Sequence, residues 1–280
     1  MLLAQITDLH IRRPGQLAYR QVDTAPFLQR CIAKLNALTP RPDAVLITGD
    51  LVDAGHPEEY AHLRTLLAQL QLPYYLMVGN HDSRAPLRAA FADAAYLGDA
   101  PDGFVQYRFD LPTPEATVRV LALDSLDAPN SGGRLCASRL AWLASELEQA
   151  RAMPVIVALH HPPFATGIEH MDEAALAPKD AQALERLIAK HPNVERVLCG
   201  HLHRPIHVRF GGSIASTCPS PAHQVAFDLR PEGPSAFVME PPAFALHLWD
   251  AQAGVVSHHV YVDDYAGPYP FHEESGGLIG

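Results

Sequence analysis

The sequence predicts an α/β layered core over residues 1–205 and an antiparallel β segment over residues 206–280. Three observations carry this. Short apolar runs of strand length alternate with amphipathic stretches of helical period. Five of those runs end in a carboxylate, amide or imidazole side chain. Beyond residue 205 the helical patterns stop and Gly/Pro turns separate apolar or alternating runs.

Taken in order, the runs fall at residues 2–6, 44–48, 74–78, 118–123, 155–159 and 194–199. They are mostly free of charge, as suits strands covered on both faces. Between them Phe27, Cys31, Leu35 and Leu38 keep a helical spacing. Tyr60, Leu63, Leu67 and Leu70 repeat it, and so do Leu140, Leu143 and Leu147. Strand alternating with helix is the signature of a layered α/β core. After it come runs near 206–210, 223–229, 243–249 and 255–262, with Pro231, Gly233, Pro234, Pro241 and Pro242 marking a long loop. This segment reads as a cap or an oligomerisation surface, with a Gly/Pro-rich tail from Ala266 that returns to the body or to a neighbour. Apolar positions such as Phe244, Leu246 and Leu248 would leave a lone β appendage partly exposed, so a homo-oligomer is expected.

Composition narrows the chemistry. The 280 residues are 48% hydrophobic, enough for one substantial core. A formal charge of −10, with no basic run longer than a pair such as Arg12-Arg13, argues against a nucleic-acid polymer as partner. Cys31, Cys136, Cys199 and Cys218 show no paired spacing, so neither a disulfide framework nor a thiolate zinc site is expected. No segment approaches the roughly 18 apolar residues of a membrane span, and the chain opens on an apolar run without a charged leader. A cytoplasmic enzyme without a membrane partner is the expectation.

The polar residues closing the runs form the most informative pattern. Asp8 and His10 follow the first, Asp50 the second, Asn80 the third, His160 the fifth, and His201 with His203 the sixth. All seven fall at the carboxyl ends of expected strands, where open α/β sheets bind ligands. A mixed oxygen/nitrogen set without thiolate suits Mn, Fe, Zn or Co better than Ca. Seven donors exceed one tetrahedral ion and match two divalent or trivalent ions sharing a carboxylate. Gly49, Gly79 and Gly200, each preceding a donor, permit sharp turns and close backbone approach.

Asp8-Leu9-His10, Gly49-Asp50, Gly79-Asn80-His81-Asp82, His160-His161-Pro162-Pro163 and Gly200-His201-Leu202-His203 resemble, in order, the motif set of the calcineurin-like metallophosphoesterases. The His-His-Pro-Pro form is similar to the class III cyclic nucleotide phosphodiesterase branch. Arg41 to Val45, Pro57 to Tyr60, Met171-Asp172, His223 to Val225 and Tyr265 to Pro268 extend the resemblance toward the bacterial glycerophosphodiesterases. The resemblance implies a four-layer α/β/β/α sandwich. It also implies one metal on Asp8, His10, Asp50 and His203 and a second on Asp50, Asn80, His160 and His201, with Asp50 bridging. By the same likeness His81 meets the substrate phosphate, and Tyr19, Ser131 and His223 are outer contacts. Ala54 stands where the bacterial glycerophosphodiesterase carries a cysteine, which removes the residue for a covalent link between subunits there. Asp82 is expected to orient His81 or to cap the following helix, and His161 to face the other side of its strand end or the pocket rim.

The chemistry so implied is phosphodiester hydrolysis by a metal-activated water, on glycerophosphodiesters or 3′,5′-cyclic nucleotides. A phosphomonoesterase or nucleotide pyrophosphatase of the same fold is the nearest rival. Phosphoprotein phosphatases of the superfamily carry an Arg soon after Gly-Asp, whereas this chain reads Gly49-Asp50-Leu51-Val52-Asp53. The rival from another class is a non-catalytic scaffold, which should have lost donors that this chain retains.

Overall fold

The structure, a computed structural model, describes residues 1–98 and 103–279. Strands β1 (Leu2–Ile6), β2 (Ala44–Ile47) and β3 (Tyr74–Leu76) run parallel in one sheet. In a second sheet β5 (Thr117–Ala122), β6 (Val155–Ala158) and β7 (Val194–Cys199) run parallel, with β4 (Tyr107–Pro112) antiparallel on its edge. Helices α1 (Ala25–Ala37), α2 (Pro57–Leu67) and α3 (Arg84–Ala90) intervene in the first half, and α4 (Ala137–Gln149), α5 (Glu169–Asp172) and α6 (Pro178–Ile188) in the second.

The two sheets face each other because the strand side chains alternate between two cores. On β6, Val155 and Val157 join a cluster with Leu143 and Leu147 of α4 and Leu184 and Ile188 of α6. Ile156 and Ala158, one residue out of phase, join the cluster of β1, β2, α1 and α2 instead. β7 splits the same way, with Val197 and Cys199 outward and Leu198 inward. A period of two thus gives each strand two apolar faces, which is why these runs are uninterrupted by charge. Helices outside two facing sheets make the expected four layers.

The helices form for local reasons. α1 buries Leu28, Cys31, Ile32 and Leu35, one stripe at helical spacing, and has Pro in its first turn, as do α2 and α6. Glu59 closes the start of α2 by accepting the His56 N–H at 3.2 Å and the Ala54 N–H at 3.0 Å.

The segment after residue 205 departs from expectation. It is not a separate β unit. β8 (His207–Phe210) and β9 (Ser213–Thr217) extend the second sheet, β9 lying parallel to β7. β12 (Ala243–Asp250) and β13 (Gly254–Tyr261) extend the first, β12 lying antiparallel to β1. Among the described residues only the ribbon of β10 (Gln224–Val225) and β11 (Phe237–Val238) stands apart. The physical reason is that β1 and β7 each offer an unpaired edge, and a sheet edge is satisfied by whichever strand reaches it. Phe244 is accordingly buried, while Leu248 is exposed.

The tail also differs. Arg30–Asp263 (3.3 Å) and Lys34–Asp264 (2.9 Å) tie its start to α1. Beyond them the chain does not return to the core: Tyr269 is 76% exposed and Phe271 83%. Its hydrogen bonds among the described residues close a small loop of their own, from Glu273 N–H to Gly277 and from Ile279 N–H to Phe271.

Candidate metal centre

All seven donors meet in one cleft at the carboxyl ends of β1, β2, β3, β6 and β7, so both sheets contribute. The turns carrying them are strained. Asp8, His10, Asp50, His201 and His203 all have left-handed backbone, with φ of 55°, 45°, 48°, 70° and 49°. For non-glycine residues this costs free energy and concentrates at functional sites. Cross-links between the turns hold it: Asp8 N–H to Gly49 O and His10 N–H to Asp50 O, both at 3.0 Å. The Asp8 carboxylate also accepts the His201 N–H at 2.9 and 3.1 Å. Gly49 has φ +97°, and a Cβ there would sit 2.5 Å from His160 Nδ1. Gly79 has no such φ; its Cβ would strike Asp50, so close approach alone excludes a side chain.

Hydrogen bonding fixes what the imidazoles can do. His160 Nδ1 donates to the Thr48 carbonyl at 2.8 Å, and His203 Nδ1 to the His223 carbonyl at 2.9 Å. His10 Nδ1 donates to the Asp53 carboxylate at 3.2 Å. In the neutral ring each Nε2 is therefore a lone pair. Those lone pairs face further acceptors. Nε2 of His10 and His203 lie 3.3 Å apart, and His203 Nε2 is 3.4 Å from Asp8 Oδ1. His160 Nε2 is 3.1 Å from Asn80 Oδ1 and 3.4 Å from Asp50 Oδ2. The same Asp50 oxygen is 3.7 Å from His10 Nε2, which puts it between the two groups. His201 Nε2 is buried with no hydrogen-bond partner among the described residues. Acceptors turned on acceptors in a buried site fit a cation, and this donor set fits divalent metal ions.

The electrostatics agree. Burial alone would lower the pKa of His160, yet Asp50 and Asp8 raise it to about 9. Burial also opposes the charged form of His10, but Asp53, Asp50 and Asp8 bring it net upward. Asp50 is pushed up by burial and brought well below the usual carboxylate range by His160, His81 and His10. His201 and His203 are shifted down, mainly by burial, and stay neutral acceptors. The carboxylates of Asp8, Asp50 and Asp53 thus favour positive charge at His10 and His160, whether it is a proton on Nε2 or a metal ion in its place.

The remaining candidates sort less uniformly. His81 lines the cleft, its Nδ1 donating to the Asp53 carbonyl at 2.7 Å and its N–H to Asp50 Oδ1 at 2.9 Å. Asp82 neither orients His81 nor caps α3. Its carboxylate accepts the N–H groups of Leu51 (3.1 Å) and Gly79 (2.9 Å) and the Tyr60 hydroxyl (2.9 Å), clamping the Asp50 and Asn80 turns together. His161 is not at the rim. It is fully buried, donating from Nε2 to the Ser131 carbonyl (3.1 Å) and accepting the Ser125 hydroxyl at Nδ1 (2.8 Å). Tyr19, Ser131 and His223 all line the cleft. Arg12 is paired with Asp53 (3.0 Å) and Glu59 (3.2 Å), whereas Arg13 reaches only the exposed Glu58.

Two contributors escaped the sequence reading. Asp53 holds His10 through its carboxylate and His81 through its carbonyl, and its spacing three residues after Asp50 was the available signal. Tyr60 belongs by its spacing to a helical stripe, yet its hydroxyl donates to Asp82 and accepts the Ser83 N–H at 2.7 Å.

The cleft encloses about 360 Å³, roofed by α5 on one side and the β10–β11 ribbon on the other. A wider groove of about 950 Å³ between α6, the β8–β9 turn and the start of β13 mixes Glu185, Glu195, Arg186, Arg196 and Arg209 and gathers no such donor set. Among the described residues no helix is long and apolar enough to cross a membrane.

Comparison with known proteins agrees with this geometry. Residues 1–205 match the family model of the calcineurin-like phosphoesterases. The chain is 37% identical over 279 residues to a probable glycerophosphodiester phosphodiesterase of Arcobacter nitrofigilis, covering 100% of both chains. It is 38% identical over 271 residues to a probable cyclic nucleotide phosphodiesterase of Rhodopseudomonas palustris, covering 96% of this chain and 94% of that one. A dimetal phosphatase from Danio rerio shares the fold, with a TM-score of 0.63 at 17% identity over 94% of this chain and 99% of the other. Donor set, fold and sequence converge: the chain belongs to the calcineurin-like phosphoesterase family.

Proposed function

We propose that this protein is a phosphodiesterase with two divalent or trivalent metal ions, hydrolysing small phosphodiesters such as glycerophosphodiesters and 3′,5′-cyclic nucleotides. The observation that carries the reading is the set of imidazole lone pairs and carboxylates turned on one another in the cleft. In this reading Asp8, His10, Asp50 and His203 hold one ion and Asp50, Asn80, His160 and His201 the other, with Mn, Fe, Zn or Co as the candidates. The position of Asp50 Oδ2 between His10 and His160 supports its role as bridge. When bound, such ions supply an acidified water and Lewis acidity at the phosphoryl oxygens.

The protein's own part is positioning and proton handling. Thr48, His223 and Asp53 fix three ring orientations, so the donor geometry is set before substrate arrives. His81 keeps Nδ1 on the Asp53 carbonyl, leaving Nε2 for the substrate. As imidazolium it donates to a phosphate oxygen or gives that proton to the leaving alkoxide; as neutral imidazole it can only accept. The names of the relatives support both diester classes. Four free cysteines, three of them buried, suit a reducing compartment, and the reading places the enzyme in the cytoplasm. Exposed Tyr265, Tyr269 and Phe271 on the tail favour a homo-oligomer.

The test is kcat/KM on glycerophosphoethanolamine, 3′,5′-cyclic AMP, a phosphopeptide and a short DNA duplex under one metal condition. The reading expects the first two to be turned over fastest. Preference for the phosphopeptide or the duplex overturns it.

A further inference from the structure

The floor of the cleft gathers carboxylates and imidazoles, whereas its outer part mixes hydroxyls, one imidazole and aromatic rings. Among the described residues no Lys or Arg lines it, so a substrate with a second phosphate meets no side-chain cation of that kind there. Part of the outer lining is polar, with Ser131, Ser235 and His170. Two residues beyond Ser235 it turns aromatic. Phe237 of β11 lies 5.2 Å from Tyr19 and 5.3 Å from His223, centroid to centroid, and Tyr19 lies 5.1 Å from His223.

This aromatic wall is built, not incidental. Tyr19 and Arg20 both have left-handed backbone, φ 49° and 59°, in a tight loop closed by Ala18 N–H to Val22 O at 2.8 Å. Non-glycine residues rarely take that conformation in succession, and here it presents Tyr19 to the cleft. Phe237 is held by its pairing with Val225, and the ribbon by Arg204, which donates to the Val225 carbonyl and pairs with Glu240 at 2.7 Å. Both rings line the cleft while keeping accessible surface, Tyr19 at 43%.

We propose that Phe237, packed beside Tyr19, stacks the planar base of a cyclic nucleotide and so sets the preference for a planar base over a polyol. The inference rests on the phosphodiesterase reading above. A nucleobase has a π-face to stack on the ring, whereas a glyceryl group has only hydroxyls, which Ser131, Ser235 and His170 serve without Phe237.

The experiment compares metal-loaded wild type, Phe237→Leu and Phe237→Trp on 3′,5′-cyclic AMP and glycerophosphoethanolamine, with kcat and KM resolved. Leu keeps apolar packing for the ribbon but removes the π-face. It should raise KM for cyclic AMP about tenfold, within the range of a single base–aromatic stack, with kcat nearly unchanged. Glycerophosphoethanolamine should shift by no more than about twofold, and Trp should restore the cyclic AMP value. Equal loss on both esters, or no change on either, overturns the assignment while leaving the phosphodiesterase reading intact. A wild type that turns over neither ester defeats that reading, and this one with it.

Discussion

The floor and the roof of the cleft are held by different means. On the floor, the turns at the strand ends are cross-linked by backbone and carboxylate hydrogen bonds, and the rings of His10, His160 and His203 are each fixed by a partner at Nδ1. The roof is a ribbon of two strands of two residues each, a one-turn helix and a loop joined to that helix by a bond from Glu232 N–H to Glu169. The floor is over-determined, as a site that must place charges before substrate arrives should be. The roof has little cooperative structure and can change without disturbing the donors. The difference separates chemistry from selectivity: damage to the floor should appear in kcat and metal affinity, damage to the roof in KM.

The sharpest test of this division on the floor is Asp53, whose carboxylate holds His10 while its main-chain carbonyl, kept in any substitution, holds His81. Asp53→Ala should lower kcat/KM and metal affinity by about 10- to 100-fold, the range seen when the outer partner of a metal-bound His is lost. Asp53→Asn, which keeps an oxygen acceptor, should fall between. Wild-type values for the Ala variant would remove Asp53 from the account.

A smaller effect is expected from Tyr60→Phe, which deletes the hydroxyl under the Asp82 clamp. One buried donor to Asp82 and one acceptor for Ser83 N–H disappear, a loss of about 1–3 kcal/mol in stability. For a chain of this size that is a Tm drop of several degrees, roughly 2–4 °C per kcal/mol, readable by calorimetry. An unchanged Tm would show that the two turns hold without the clamp.

The mildest change should come from the roof. Arg204→Ala releases the ribbon from Glu240 and Val225, and KM should rise by a factor of about two to five while kcat and metal content hold, because binding is lost uniformly and not in the transition state. A large fall in kcat would mean that roof and floor are one unit.

These two regions were also unequally legible in the sequence. The seven donors announce themselves by residue type and by their place after apolar runs, and the structure brings all of them together. Two of the groups that fix the rings do not, because Thr48 and His223 act through carbonyls that every residue possesses. β10 and β11 have two residues each, too few for any periodicity. The fate of β12 was hidden for another reason: its alternation shows a strand, but its partner β1 lies more than two hundred residues away, and local pattern carries no information about which edge is free.

In the proposed function Asp50 joins two cation sites on a prebuilt floor. The most direct measurement is metal content per chain after chelation and reconstitution with Mn or Zn, by elemental analysis of wild type, Asp50→Ala and Asn80→Ala. Two sites sharing Asp50 should give up to two ions in wild type, loss from both positions in Asp50→Ala, and loss of mainly one in Asn80→Ala. Equal metal loss in the two variants, or a wild type that binds no metal, would contradict it.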